Sequence, residues 1–146
     1  MNQNDLIRKS TDDLRTELKS NKKLQRFLEE NEKEFIHPNI SEDLQNLIQE
    51  KGISKSELAK RSGMSTVYLY QLLNGTRFPS RDRLICLCIG LSCSLEETQE
   101  ILKSNRFAAL YMKVRRDAII SFGIQNRCDI NEINDLLYEN NEETLS

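Results

Sequence analysis

A chain of 146 residues is the size of one domain, or of one small domain with helical additions, and it can bury a real core. Its 5 Gly and 2 Pro fall well under average usage, which speaks against turn-rich sandwiches and barrels and predicts an all-α protein. With 38% hydrophobic and 30% charged residues, collagen-like and low-complexity classes are excluded as well. The formal net charge of −2 hides a polarity along the chain. Between Lys51 and Arg83, seven Lys and Arg stand against Glu57 and Asp82, a local balance of +5, whereas Asp129 to Ser146 holds six acids and no base. A polyanion meets the local field, so an acidic chain is still open to nucleic acid.

The cysteines Cys86, Cys88, Cys93 and Cys128 include no CxxC pair and read as free buried thiols. The N-terminal residues lack a secretory apolar region. The most apolar stretch, Leu84 to Leu95, is too short to span a bilayer. A cytoplasmic protein without a membrane segment is the expectation.

In chain order, residues 1–39 read as an N-terminal helical extension. Ser10 to Asp13 supplies capping oxygens and early acids ahead of Leu14 and Leu18, a break falls near Ser20-Asn21, and Leu24, Phe27 and Leu28 follow. Pro38 ends the segment. Apolar residues Ile40, Leu44, Leu47 and Ile48 then have helical spacing up to Lys51-Gly52, a cation and a C-terminal glycine. Ser54 to Glu57 is a capping box for a helix running to about Ser62, after which Gly63 turns the chain. Ser65 caps a third helix, Thr66 to Leu73, closed by Asn74-Gly75. Pro79-Ser80 opens a fourth from Arg81 to Leu91, and a capping box at Ser94 to Glu97 opens a fifth ending near Lys103.

The remainder, 104–146, reads as a C-terminal helical extension. One helix is expected over about Phe107 to Phe122, ended by Gly123. A second starts from a capping box at Asp129 to Glu132 and carries the stripe Ile130, Ile133, Leu136 and Leu137. No repeat of 20 to 50 residues is visible in this reading.

Two short helices joined by a turn at Gly63 fit the helix-turn-helix plan. Ser54, Glu57-Leu58-Ala59, Gly63-Met64-Ser65, Leu69, Asn74-Gly75-Thr76-Arg77 and Pro79, with Leu84, Ile85 and Leu91 beyond them, resemble the XRE/Cro-type, lambda-repressor-like helix-turn-helix domain of bacterial and phage regulators. The resemblance covers about residues 40–103. Leu110-Tyr111 and Arg116 to Ile120 resemble an extended subgroup of such regulators. What this implies is a five-helix domain that binds double-stranded DNA at an operator or promoter and regulates transcription.

On the third helix, Leu69, Leu72 and Leu73 with Tyr68 share one side and are expected to pack on Leu44, Leu47, Leu58 and Ala59. Thr66, Val67, Tyr70, Gln71 and Asn74 share the other. In the resembling proteins that second face meets the major groove. Base contact is therefore expected from Thr66, Val67, Tyr70 and Gln71, with Gln71 suited to adenine and Val67 or the Thr66 methyl to thymine. No Arg on this helix reads guanine, so an A·T-rich site is expected. Lys55, Ser65, Asn74, Thr76 and Arg77 are placed for phosphate contact. Tyr70 either lies on DNA or covers the edge of the core. Arg81 and Arg83 either face an external anion or pair with Asp82 or Glu57.

Nothing in the sequence carries catalysis. His37 stands alone beside Pro38, no phosphate-binding glycine motif occurs, and neither cofactor nor metal is expected. A rival reading is an adaptor that keeps the helix-turn-helix fold for a protein partner, motivated by Val67 and Tyr70 on the outward face and by the long extensions. A homodimer is expected, held by the C-terminal stripe. The alternative for that stripe is docking on the chain's own Leu110, Val114 and Ile119.

Overall fold

The computed structural model describes residues 9–21, 23–35 and 38–146. All regular structure among them is helical. Two compact units are present, Met1–Ile36 and His37–Ser146. His37 itself lies outside the described residues.

In the first unit, α1 (Thr11–Ser20) starts from a complete capping box between Ser10 and Asp13, and α2 (Leu24–Glu30) is followed by a 3-10 turn at Glu32–Glu34. Lys9 ties the unit together, with its ammonium 2.8 Å from Glu17 and 2.6 Å from the Asn31 side-chain oxygen Oδ1. The rings of Phe27 and Phe35 meet at 6.3 Å between centroids.

The second unit opens with α3 (Ile40–Lys51), α4 (Lys55–Arg61) and α5 (Thr66–Leu73). Each boundary has a local cause. Gly52 takes φ 66° after α3 and Gly75 takes φ 80° after α5, conformations a side chain resists. Between α4 and α5, Gly63 at φ 67° lets its own N–H reach the Lys60 carbonyl and the Met64 N–H reach that of Ala59, which closes α4 in a Schellman motif. Ser54 caps α4, but the expected box there is only half made, because Arg61 one turn on takes the Glu57 carboxylate at 3.1 Å. Leu44, Leu58, Leu69 and Leu72 are buried together with α6 (Arg81–Gly90). Gly90 permits the closest approach, since a Cβ there would sit 2.3 Å from the Ser62 hydroxyl.

Beyond α7 (Leu95–Ser104) the structure departs from expectation. Residues 107–114 are not helical, and α8 spans Arg115–Gln125. The cause lies in α7, which ends in a second Schellman turn with Arg106 at φ 65° and the Phe107 N–H on the Leu102 carbonyl. The extended stretch that follows is gripped by Gln99, whose carboxamide both donates to and accepts from the Leu110 backbone. Nor does Gly123 end the helix. It sits inside α8 where a Cβ would lie 2.4 Å from Ile133 Cγ1 of α9 (Ile130–Glu139), so the glycine serves close packing instead of termination.

The halves α6–α7 and α8–α9 are copies of one another, contrary to the expectation that no repeat exists. Arg81-Asp82, Ile85, Ile89, Cys93, Glu97, Leu102, Asn105 and Leu110 recur thirty-five residues later as Arg116-Asp117, Ile120, Ile124, Cys128, Glu132, Leu137, Asn140 and Leu145. The local geometry recurs too. Ser94 and Asp129 begin matching capping boxes, Ser92 and Arg127 take the left-handed turn at φ 55° and 58°, and Asn134 holds the Leu145 N–H as Gln99 holds that of Leu110. Ile130, Ile133 and Leu137 are buried within this arrangement. The chain's own helices thus cover most of the C-terminal stripe, with Leu136 half-buried.

Candidate nucleic-acid interface

Position and orientation of α5 come from both of its ends. Ser65 Oγ accepts from the Tyr68 N–H and caps the start. At the other end the Leu73 carbonyl accepts from Gln45 Nε2 at 2.9 Å and from the Ser41 hydroxyl, both of α3. Leu69, Leu72 and Leu73 bury one side as expected. The opposite side is presented to solvent, with Thr66 exposed, Val67 at 67% and Tyr70 at 50%. Gln71 is half-buried, and its carboxamide has no partner among the described residues. The four residues expected to read bases thus share one accessible face.

The residues expected at phosphates occupy different environments. Lys55 at the start of α4 holds its ammonium 5.2 Å from the Tyr70 ring centroid, which brings α4 and α5 to one cationic edge. Arg77 and Arg83 flank the Tyr68 ring, each at 5.5 Å, so Tyr68 acts as a platform that holds two guanidinium groups on the exit side of α5. Asn74 and Thr76 bond each other: the Asn74 carboxamide oxygen accepts from the Thr76 N–H at 3.0 Å and from its hydroxyl at 2.5 Å. Their visible work is to fix the loop that carries Arg77, whose N–H in turn meets the Gln71 carbonyl.

Two features were not anticipated. Phe78, between Arg77 and Pro79, is 79% exposed and borders a concavity of about 800 Å³ shared with Val67, Gln71, Arg77 and Arg83. A phenylalanine in an otherwise polar loop between two helices was the available signal. Arg81 faces neither an external anion nor Asp82 or Glu57. Its guanidinium lies 3.0 Å from Asp117 and donates to the Ala108 and Ala109 carbonyls. With Lys51 held by Glu97, Arg61 by Glu57 and Arg81 by Asp117, the cations of the basic segment without an acidic partner among the described residues are Lys55, Lys60, Arg77 and Arg83.

The cysteines are free thiols. Burial pushes the Cys86 thiol up to about 11. The Cys93 N–H closes the Schellman contact on the Cys88 carbonyl at the end of α6, and a separate hydrogen bond between the two thiols raises Cys88 and lowers Cys93. Among the described residues no cluster suited to a metal ion occurs, and no helix is long and apolar enough to cross a membrane.

Residues 44–97 match the helix-turn-helix family, and this segment is a helix-turn-helix domain of the XRE type. That class is one of DNA-binding proteins of transcription regulation. No curated protein and no solved structure matches the chain.

Proposed function

We propose that the protein binds double-stranded DNA in a sequence-specific manner through α5 and regulates transcription at an operator or promoter in the cytoplasm, without catalysis. The observation that carries this reading is the outward face of α5. Val67, Tyr70 and an unpartnered Gln71 lie between Lys55 on one edge and Arg77 with Arg83 on the other. That is a reading surface between two sets of phosphate partners. Thr66, Val67, Tyr70 and Gln71 contact base edges, the Ser65 cap and the first amides of α5 meet a phosphate, and Asn74 and Thr76 hold Arg77 in place.

Selection from a randomised duplex pool at two salt concentrations tests it. An enriched motif with A·T pairs at the Gln71 position, and a salt slope of several phosphate contacts, is the expected outcome. A pool that stays random would overturn the reading. Val67 at 67% and Phe78 at 79% exposure favour one rival, an adaptor whose α5 face takes an apolar protein surface. That rival requires weak, salt-insensitive DNA binding in the same experiment.

A further inference from the structure

We infer that the face of α6–α7 covered by α8–α9 is a homotypic pairing surface, whose other partner is the α6–α7 hairpin of a second copy of this chain. Residues 116–146 hold that place in cis.

Reciprocity is the first ground. Arg81 pairs with Asp117 while Arg116 pairs with Asp82 at 3.0 Å, so each ionic contact joins the arginine of one half to the aspartate of the other. The remaining donors of the two arginines stay within their own halves, at equivalent positions: Arg81 reaches the carbonyls of Ala108 and Ala109, and Arg116 those of Glu143 and Thr144. Contacts in which residue i of one body meets j of the other, and j meets i, define an isologous interface. Here both bodies lie in one chain. If a second α6–α7 replaced α8–α9, Arg81 of each copy would meet Asp82 of the other, and the ionic chemistry would be unchanged.

The second ground is where the two halves agree in sequence. Arg81, Ile85, Ile89 and Cys93 recur as Arg116, Ile120, Ile124 and Cys128, a single stripe at four-residue spacing. A small cavity of about 50 Å³ is lined by both Ile89 and Ile124 and by both Cys93 and Cys128, which places matching members of the stripe together at the junction. Several positions off the stripe have diverged. Leu87, Gly90 and Leu91 of α6 are buried with α3 to α5, and their counterparts Phe122, Gln125 and Asn126 are exposed. At the junction itself, Ile89 meets Ile124 and Cys93 meets Cys128, so a second copy would supply the same residue types there.

The test is the sedimenting mass of the full chain at tens of micromolar. Wild type is expected as a monomer. The double substitution R116D/D117R sets like charges against Arg81 and Asp82 in cis and leaves both native residues of the first half intact, so a doubled mass is expected. Adding R81D and D82R restores opposite charges within the chain and returns the mass to that of a monomer. Should the repulsive variant lose its helical circular dichroism, the neutral R116Q/D117N replaces it and is expected to show a mass rising with concentration. A dimeric wild type, or a folded neutral variant that stays monomeric at every concentration, would overturn the inference. None of these outcomes depends on DNA.

Discussion

Gln71 is the residue on which the reading face turns. Its carboxamide is unpartnered and lies beside exposed Val67, so Gln71→Ala is expected to weaken specific binding by about 1–3 kcal/mol and to relax one adenine position, with the fold unchanged. Site selection with the variant checks this, and an unaltered base preference would remove Gln71 from the reading set. Lys55→Ala and Arg77→Ala are expected to act differently. Each should weaken binding to all duplexes alike and reduce the salt slope by about 0.9. Titrations at several salt concentrations would reveal an operator-specific loss if they instead touched bases. The outward placement of Thr66, Val67 and Tyr70 was legible in the sequence because a serine cap and a three-leucine stripe leave only one outward face for an eight-residue helix. The Arg81 partner was not, since the acid that answers it lies beyond an extended stretch whose shape depends on Gln99.

For single elements, stop signals misled where a glycine had a packing role. Gly123→Ala would gain up to about 1 kcal/mol of helix propensity. Against this stands a Cβ that would lie 2.4 Å from Ile133 Cγ1, an overpacking cost of about 1–3 kcal/mol. Net destabilisation is expected in urea unfolding, and a stabilised variant would show that α9 moves away freely. The capping box of α7 has a pH signature. The Glu97 carboxyl is held below its ordinary value of 4.5, first by the Ser94 backbone N–H and then by Lys51. The folded protein therefore binds fewer protons there than the unfolded chain. The contribution is present above the ordinary value and disappears as pH falls through the lowered one. Glu97→Gln should lose stability at neutral pH and flatten the acid limb of a melting-temperature profile. An acid limb unchanged in the variant would assign it to other groups.

Over the whole molecule, the repeated halves pair unequally despite their shared pattern. Asp117 is nearly buried, with a side chain 7% exposed, while Asp82 is 37% exposed. Removing Arg81 strands a carboxylate in the interior, which costs about 3 kcal/mol or more. Removing Arg116 leaves an acid that water reaches, at a cost of about 1 kcal/mol. Urea unfolding of Arg81→Ala and Arg116→Ala should rank them in that order, and equal losses would contradict the burial argument. The class of fold was legible from scarce turn residues and helical spacing. Its duplication was not, because the matching residues are scattered singly among positions that answer to different neighbours in the two halves.

A ribosome completes α6–α7 before it reaches α8–α9. Until residues 116–146 emerge, Arg81 lacks its carboxylate and Ile89 lacks its counterpart, so a nascent chain carries an uncovered sticky face. On a crowded messenger the adjacent nascent chains carry the same face. The short non-helical stretch between the halves, residues 107–114, keeps the covering half at high local concentration, ahead of encounter with a neighbour.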